Sequence, residues 1–172
     1  MNKQLLKVGL VALITSIYSS GASAAGPVDG TAAATIIAPV TLTPGAALNF
    51  GDFSPSPLGD TVTLTAAAAT VRAITTGTLH AGTVSSGAFT IGGQAGLAVN
   101  VAIADGATDL VNGANTLVFT PTAPADIVSN YVIGSGTDII YVGGTLTIPV
   151  VASAPAGLYS SATAYTVTVN YQ

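Results

Sequence analysis

The sequence predicts an all-β protein, a single antiparallel β-sandwich that follows a short N-terminal leader. Beyond residue 24, apolar and polar residues alternate in one stretch after another, whereas the periodicity of an amphipathic helix is hard to find. Turn signals such as Asn112-Gly113, residues 134–136 and Gly143-Gly144 separate these stretches at short spacing. Seven or more short strands punctuated in this way are typical of a sandwich.

The leader covers residues 1–24. Lys3 and Lys7 precede an apolar run over residues 8–17, and small residues follow at 22–24, which is the order of a cleavable signal peptide. The apolar run is shorter than the roughly 20 residues that a membrane-spanning helix needs. We therefore expect export to the periplasm, cell surface or medium, with cleavage after Ala24 or Ala25 and no stable transmembrane segment.

The residues after the leader carry little charge. Arg72 is their only cation and seven aspartates oppose it, so their net charge is −6. A nucleic-acid partner is not expected, because such binding draws its affinity from Lys and Arg. Only 6% of the whole chain is charged, against about 25% in a typical soluble domain. The surface must therefore consist largely of small uncharged residues, which favours association between sheets. The seven anions are Asp29, Asp52, Asp60, Asp105, Asp109, Asp126 and Asp138.

Removal of residues 1–24 from the 172 leaves 148, a length that suits one domain. Cysteine is absent from the chain. Its absence excludes disulfides, thiol catalysis and cysteine metal sites, so stability must come from apolar burial and sheet hydrogen bonds.

The first alternating stretch, residues 28–42, is also the longest. Fully extended it would measure about 50 Å, well beyond the ~17–20 Å of a usual strand. The excess predicts an N-terminal arm over residues 25–34, in front of a sandwich domain over residues 35–172. Pro39 marks an edge position or a bulge, since it cannot donate to a ladder. The even-numbered positions of this stretch share one face of an extended chain, and we call this set the apolar parity. The residues of this parity that we assign to assembly are Val28, Ala32, Ala34, Ile36, Ala38 and Val40.

The last strand is predicted at a sheet edge, over residues 164–171, with Tyr165, Val167, Val169 and Tyr171 on one face. Residues 51–60 contain too much Pro and Gly to be anything but a loop, and residues 66–69 are interpreted as a strand extension or crossing. Further strands are expected over residues 46–50, 61–65, 70–75, 97–103, 116–120 and 139–150, and at Phe89 and Ile91.

Catalysis is not expected, and we assign no catalytic, cofactor-binding or metal-binding residue. His80 is the only histidine, no G-x-S-x-G elbow is present, and the chain has neither Trp nor Glu. The segment from Asp105 to Asp109 faintly resembles a calcium loop, although a turn in which Asp bonds its own backbone accounts for it more simply. Arg72 is interpreted as a surface residue that either stays solvated or pairs with an aspartate of the same or a neighbouring chain.

Several motifs together resemble a family of exported bacterial domains of unknown function. They are ATIIAP at 34–39, LNFG at 48–51, FTIGG at 89–93, YVGGTL at 141–146, and PAGLY at 155–159 followed by YTVTVNY at 165–171. The P-A-G-x-Y turn before an alternating final strand is also similar to spore-coat-protein-U-like subunits of archaic chaperone–usher pili. That resemblance implies an immunoglobulin-like or pilin-like sandwich without catalytic residues. Those pilins usually carry a disulfide, which this chain lacks.

The pilin-like resemblance implies assembly by strand addition. In this hypothesis residues 28–34 add as a missing strand to the next subunit, and the part from Thr35 onward stays in its own sheet. A directional contact of this kind builds fibres. The acceptor groove would stay exposed until a periplasmic chaperone or a neighbouring sister subunit fills it. The alternative is that residues 25–34 form only a linker.

Three functions remain open at this point. A surface fibre or coat subunit explains export, low charge and the alternating arm together. A monomeric secreted module for a glycan or surface ligand explains export and the sandwich but not the scarcity of aromatic and charged residues. An eight-stranded outer-membrane barrel would need aromatic girdles and a polar lumen, for which the chain has too few aromatic and charged residues.

Overall fold

A computed structural model describes residues 25–106, 109–124, 130–150 and 154–172. The predicted signal peptide and Asp126 lie outside these ranges. The chain divides into two compact units, with the boundary between Thr35 and Ile36. Of the first unit, residues 25–35 are described, and they are exposed and belong to no strand.

The second unit is built from twelve described strands, and no helix occurs in the ranges given above. Every described strand pair is antiparallel. The strands are β1 (Thr41–Pro44), β2 (Phe53–Ser54), β3 (Asp60–Leu64), β4 (Arg72–Ile74), β5 (Thr78–Leu79), β6 (Gly87–Gly92), β7 (Ala98–Asp105), β8 (Leu110–Asn112), β9 (Asn115–Thr122), β10 (Tyr131–Val132), β11 (Thr137–Ile148) and β12 (Tyr165–Tyr171).

The strands form one large sheet, one small sheet and a separate pair. The large sheet runs β1-β6-β11-β3-β4, and β9 pairs with β11 and carries β8 on its other side. The small sheet runs β10-β7-β12, and β2 pairs with β5. Ile91 and Ile140 of the large sheet pack with Val99 and Val101 of the small one in a single buried cluster. The predicted antiparallel all-β sandwich is therefore confirmed.

Strand β11 changes its partners in the middle. Its residues up to Val142 pair with β6, whereas Gly144 and the residues after it pair with β3 and Gly143 begins the pairing with β9. A side chain at Gly143 would overlap the backbone of Leu64, and one at Gly144 would overlap the ring of Phe119. The glycine pair that we read as a turn signal therefore lies inside a strand, where it permits close approach of the neighbours.

A second buried cluster lies on the inner face of β3, β9 and the C-terminal half of β11. Its centre contains Val62, Leu117, Phe119 and Leu146, and Phe50 from the segment after β1 packs on them. Loop residues, the short strand β2 and the start of β12 cover much of this cluster. The residues that pack against it include Leu48, Phe53, Val84, Tyr159 and Tyr165. Loops rather than a full sheet therefore form the opposite wall here.

The long N-terminal strand was predicted too early. Only residues 41–44 form β1, and residues 35–40 form no strand in their own sheet. Alternation before residue 40 places mainly alanine on the apolar parity, and such small side chains gain little from burial. Val40 and Leu42 are the first of this parity to pack against the core.

Three smaller predictions also need correction. Residues 46–50 form no strand and contribute one isolated bridge, between Asn49 and Ser85. The predicted loop over residues 51–60 contains β2, because Phe53 packs on the core, and it ends where β3 begins. Residues 66–69 form bends between β3 and β4 instead of extending a strand.

Candidate functional site: the arm, the C-terminal strand and an apolar groove

The first four assembly residues of the arm are exposed. Val28 is 90% exposed and Ile36 96%, and Ala32 and Ala34 between them are also exposed. None of the four belongs to a strand. Alternating apolar side chains that no sheet covers are available to a partner.

The last two assembly residues differ, because their own domain already holds them. The Tyr171 hydroxyl donates to the carbonyl of Ala38 at 2.8 Å, and Val40 packs against the cluster around Ile91. The same hydroxyl accepts from the Gln94 N–H at 2.6 Å. The exposed arm therefore extends beyond its predicted end at Ala34 and finishes between Ile36 and Ala38.

Strand β12 lies at the end of the small sheet. It pairs with β7 along its whole length, from Tyr165 opposite Asp105 to Tyr171 opposite Val99. It follows β7 as the last strand in the described order of that sheet. The four residues predicted on one face point inward and are half-buried: Tyr165 joins the cluster around Phe119, and Val167, Val169 and Tyr171 join the cluster around Ile91.

A groove of about 1370 Å³, lined by aromatic side chains and by polar residues such as Asn49 and Asp52, opens where loops cover the cluster around Phe119. It is larger than the ~300–1,000 Å³ of usual small-molecule sites. Ring pairs stiffen its wall, with centroids 5.9 Å apart for Phe50 and Phe119 and 6.0 Å apart for Phe89 and Tyr165. Burial raises the pKa of the Tyr165 hydroxyl. The aromatic residues that line the groove are Phe50, Phe53, Phe89, Phe119, Tyr159 and Tyr165.

Arg72 holds the rim of this groove together. Its guanidinium donates to the carbonyls of Phe50 at 2.5 Å, Asp52 at 3.0 Å and His80 at 2.7 Å. The sequence interpretation of a solvated or aspartate-paired Arg72 is wrong in this respect, because the planar fork of donors serves backbone carbonyls. In the sequence, the one signal for this structural role of Arg72 is that it is the only cation after the leader.

His80 lies beside Ser54, with 2.8 Å between its Nε2 and the serine Oγ. Both residues are exposed. The contact joins the ends of β2 and β5, in whose pairing Phe53 lies opposite Leu79 and Ser54 opposite Thr78. A solvent-exposed pair of this kind acts as a surface hydrogen bond that helps to fix the rim.

Asp60 is a buried carboxylate that sequence reasoning did not single out. Burial by itself would raise its pKa, but the N–H groups of Ser56, Thr76 and Thr61 and the Thr76 hydroxyl all donate to it and lower the pKa to about 2. The carboxylate ties the loop before β3 to the turn after β4. A Gly-Asp step immediately before an alternating Thr/Val strand was its only sequence signal.

Neither a metal-binding cluster nor a membrane-spanning helix occurs among the described residues. These contain no group of three or more His, Cys, Asp or Glu residues that could hold a metal ion. The calcium-like segment includes residues 107 and 108, which lie outside the described ranges. No helix in the described part of the chain is long and apolar enough to cross a membrane.

Comparison with known proteins gives one match. The profile of a family described as a domain of unknown function (DUF4402) covers residues 40–171. A search of curated proteins and a search of solved structures gave no significant match. The matched range contains all twelve strands and begins after the exposed residues of the arm. The expected membership in a family of unknown function is confirmed at this level: the chain belongs to the DUF4402 family.

Proposed function

We propose that this chain is an exported structural or adhesive subunit of a surface fibre or coat, and that it assembles by strand addition. The observation that carries the proposal is the coexistence of two uncovered apolar features in one chain. One is the arm, where Val28 and Ile36 are almost fully exposed. The other is the groove beside the start of β12, lined by six aromatic side chains.

The donor in this proposal is residues 28–36 of a neighbouring copy. Nine extended residues reach about 30 Å, which is enough for one strand and a short connection. The Ala38 carbonyl is already held by Tyr171, so the donor must end before it. This boundary replaces the earlier expectation that Thr35 begins a strand of its own sheet.

The acceptor is the outer edge of β12 together with the groove. Backbone groups on the edge of a sheet form a template for another strand, and alternate side chains of that strand enter pockets. Tyr165 belongs to both features, since it is the first residue of β12 and lines the groove. The size of the groove favours a chain segment over a small ligand.

Export and the assembly route are part of the same proposal. The order of Lys, apolar and small residues over 1–24 supports secretion. The similarity of the final turn and strand to pilin subunits supports a periplasmic chaperone and sister subunits as partners. N-terminal sequencing of the secreted protein tests cleavage after Ala24 or Ala25, and a search of the neighbouring genes for a periplasmic chaperone and an usher tests the route.

Assembly is tested with matched pairs of aspartates in the arm of the full chain. V28D/I36D places charges on the apolar parity, whereas T31D/T35D places the same charges on the polar parity. We expect filaments, seen by electron microscopy of sheared material, for the unmodified chain and for the control pair but not for V28D/I36D. Deletion of residues 25–34 should also abolish them. Filaments of normal number from the deletion variant would refute the donor role.

A peptide test separates strand addition from other contacts. A synthetic peptide covering residues 27–37 should bind the deletion variant and raise its melting temperature in a concentration-dependent way. The same peptide with aspartate at positions 28 and 36 should have no effect. Equal stabilisation by both peptides would show that the apolar parity is not what the groove recognises.

A further inference from the structure

The outward face of the β4-β3-β11-β9 region carries an array of threonines that the proposed strand addition does not use. The residues of this threonine face are exposed or half-buried. Its members are Thr61, Thr63, Thr75, Thr116, Thr120, Thr122, Thr145 and Thr147.

The strand register aligns these residues in rows. Thr145 lies opposite Thr63 on one side and opposite Thr120 on the other. In the next row Thr147 lies opposite Thr61 and opposite Val118, which is 52% exposed. Neighbouring members of a row are roughly 5 Å apart, and successive rows are about 7 Å apart. The face is therefore a regular lattice of hydroxyl and methyl groups.

No charged side chain of these described strand segments reaches the threonine face. Asp60 and Arg72, the charged residues of β3 and β4, alternate to the inner side, where Asp60 is buried and Arg72 binds carbonyls. Asp138 of β11 lies in the half that pairs with β6, and its carboxylate accepts from the Gly134 N–H. Strand β9 contains no charged residue. Asp109, whose carboxylate accepts from the Phe119 N–H, lines a small cavity with Val118 and Thr120 and therefore marks the outer margin of the face, whose centre at Thr63 and Thr145 stays free of charge.

This distribution of charge selects the partner. Two copies that each carry −6 repel one another wherever their aspartates approach, and repulsion is smallest where no charge lies. Threonine is self-complementary, because its hydroxyl both donates and accepts and its methyl group packs against another methyl. A second copy of the same face therefore fits without an unpaired buried charge.

The area of the face sets the strength of the contact. Four strands and three rows cover roughly 300 Å², well below the ~800 Å² per partner of a standard stable interface. A single pair of subunits would separate readily. In an array, however, many such contacts act together and their avidity multiplies.

We propose that the threonine face is a homotypic lateral contact through which arrayed copies of this chain associate side by side. This proposal rests on the proposed function in one respect: in nature, the fibre would be what brings the copies into an array. Because repulsion between acidic chains is screened by salt, lateral association should become stronger as ionic strength rises.

The test supplies the array artificially and blocks strand addition. Full chains bearing V28D/I36D are attached through Gln172 at high density to beads of two colours, and mixed clustering is measured from low to high salt. T63K/T145K is added to the same chain to place charges in the centre of the face. L58K/A95K adds the same charge at exposed positions elsewhere and serves as the control.

We expect the arm-blocked chain and its L58K/A95K control to cluster, increasingly with salt, and T63K/T145K to cluster on the order of tenfold more slowly, since like charges would meet across the contact. Circular dichroism must show that all variants keep their strands. Absence of clustering at every salt concentration, or equal clustering of T63K/T145K, would overturn the proposal. Binding to dextran-coated beads in place of mixed clustering would overturn it in favour of a glycan partner. The bead assay uses the arm-blocked chain and needs no filaments. Failure of the proposed strand addition and failure of the threonine contact can therefore be told apart.

Discussion

Replacement of Arg72 by methionine removes the clamp on the groove rim while keeping most of the apolar side-chain volume. In the native chain the guanidinium donates to the carbonyls of Phe50, Asp52 and His80 at 2.5, 3.0 and 2.7 Å. The first of these contacts is part-buried, whereas the other two are exposed. The variant therefore leaves one carbonyl poorly hydrated and two that water can reach.

The size of the effect follows from that difference. A hydrogen bond to a charged donor in a part-buried place contributes about 1.5–3 kcal/mol, and an exposed one that water replaces contributes about 0.5 kcal/mol. The three together give a loss of about 2.5–4 kcal/mol in the free energy of unfolding. For a chain of this size that corresponds to a fall in melting temperature of roughly 5–16 °C.

Urea denaturation followed by circular dichroism measures this loss, provided that the slope of the transition is unchanged. Arg72→Lys is the matched control, because lysine keeps the charge but cannot serve three carbonyls from one planar fork. We expect the lysine variant to recover less than half of the stability. Transitions at 0.15 M and 1 M salt should give the same difference between Arg72→Met and the native chain. A methionine variant as stable as the native chain, or full recovery by lysine, would refute the clamp.

Two further predictions concern the core of the sandwich. Asp60→Asn should lower stability at neutral pH. Because the native pKa of Asp60 is depressed to about 2, the carboxylate's contribution to stability is complete above the unfolded pKa of about 3.9 and is lost as the pH falls through about 2. Urea midpoints measured across this pH range should therefore fall less steeply with acid in the variant than in the native chain. Gly144→Ala should cost about 1–3 kcal/mol, since the added methyl overlaps the Phe119 ring, whereas Gly26→Ala, which meets nothing within 4 Å, should leave the melting temperature unchanged; equal behaviour of the two alanine variants would contradict the packing at β11.

The fold class was predictable because strand periodicity depends on local sequence. Val99 and Val101 are buried and Asn100 between them is exposed, which is the alternation of a half-buried strand. Tyr165 to Tyr171 repeats this pattern at the C-terminus. Such segments keep their register because a shift by one residue would turn the apolar side chains to water.

The errors share a different physical cause, since they arose where distant contacts decide the outcome. The Gly143-Gly144 pair resembles a turn locally, but it lies in a strand because Leu64 and Phe119 approach it from other parts of the chain. Residues 35–40 were expected in a strand of their own sheet, but they form none, and Pro39 among them cannot donate to a ladder. The groove could not be predicted either, because loops far apart in sequence form its walls.

The proposed strand addition would limit unspecific association of a chain that carries so little charge. Exposed apolar side chains and the edge of a strand that ends a sheet, as β12 does in the described order, are each a risk for unspecific aggregation, and charged residues that usually limit it are scarce here. Filling the groove with an alternating strand removes both features in one contact. Since the Tyr171 hydroxyl holds Ala38, the proposed donor would have a fixed starting point, and this would give every subunit the same register on the next. A subunit that assembles in this way needs a chaperone only until its neighbour arrives.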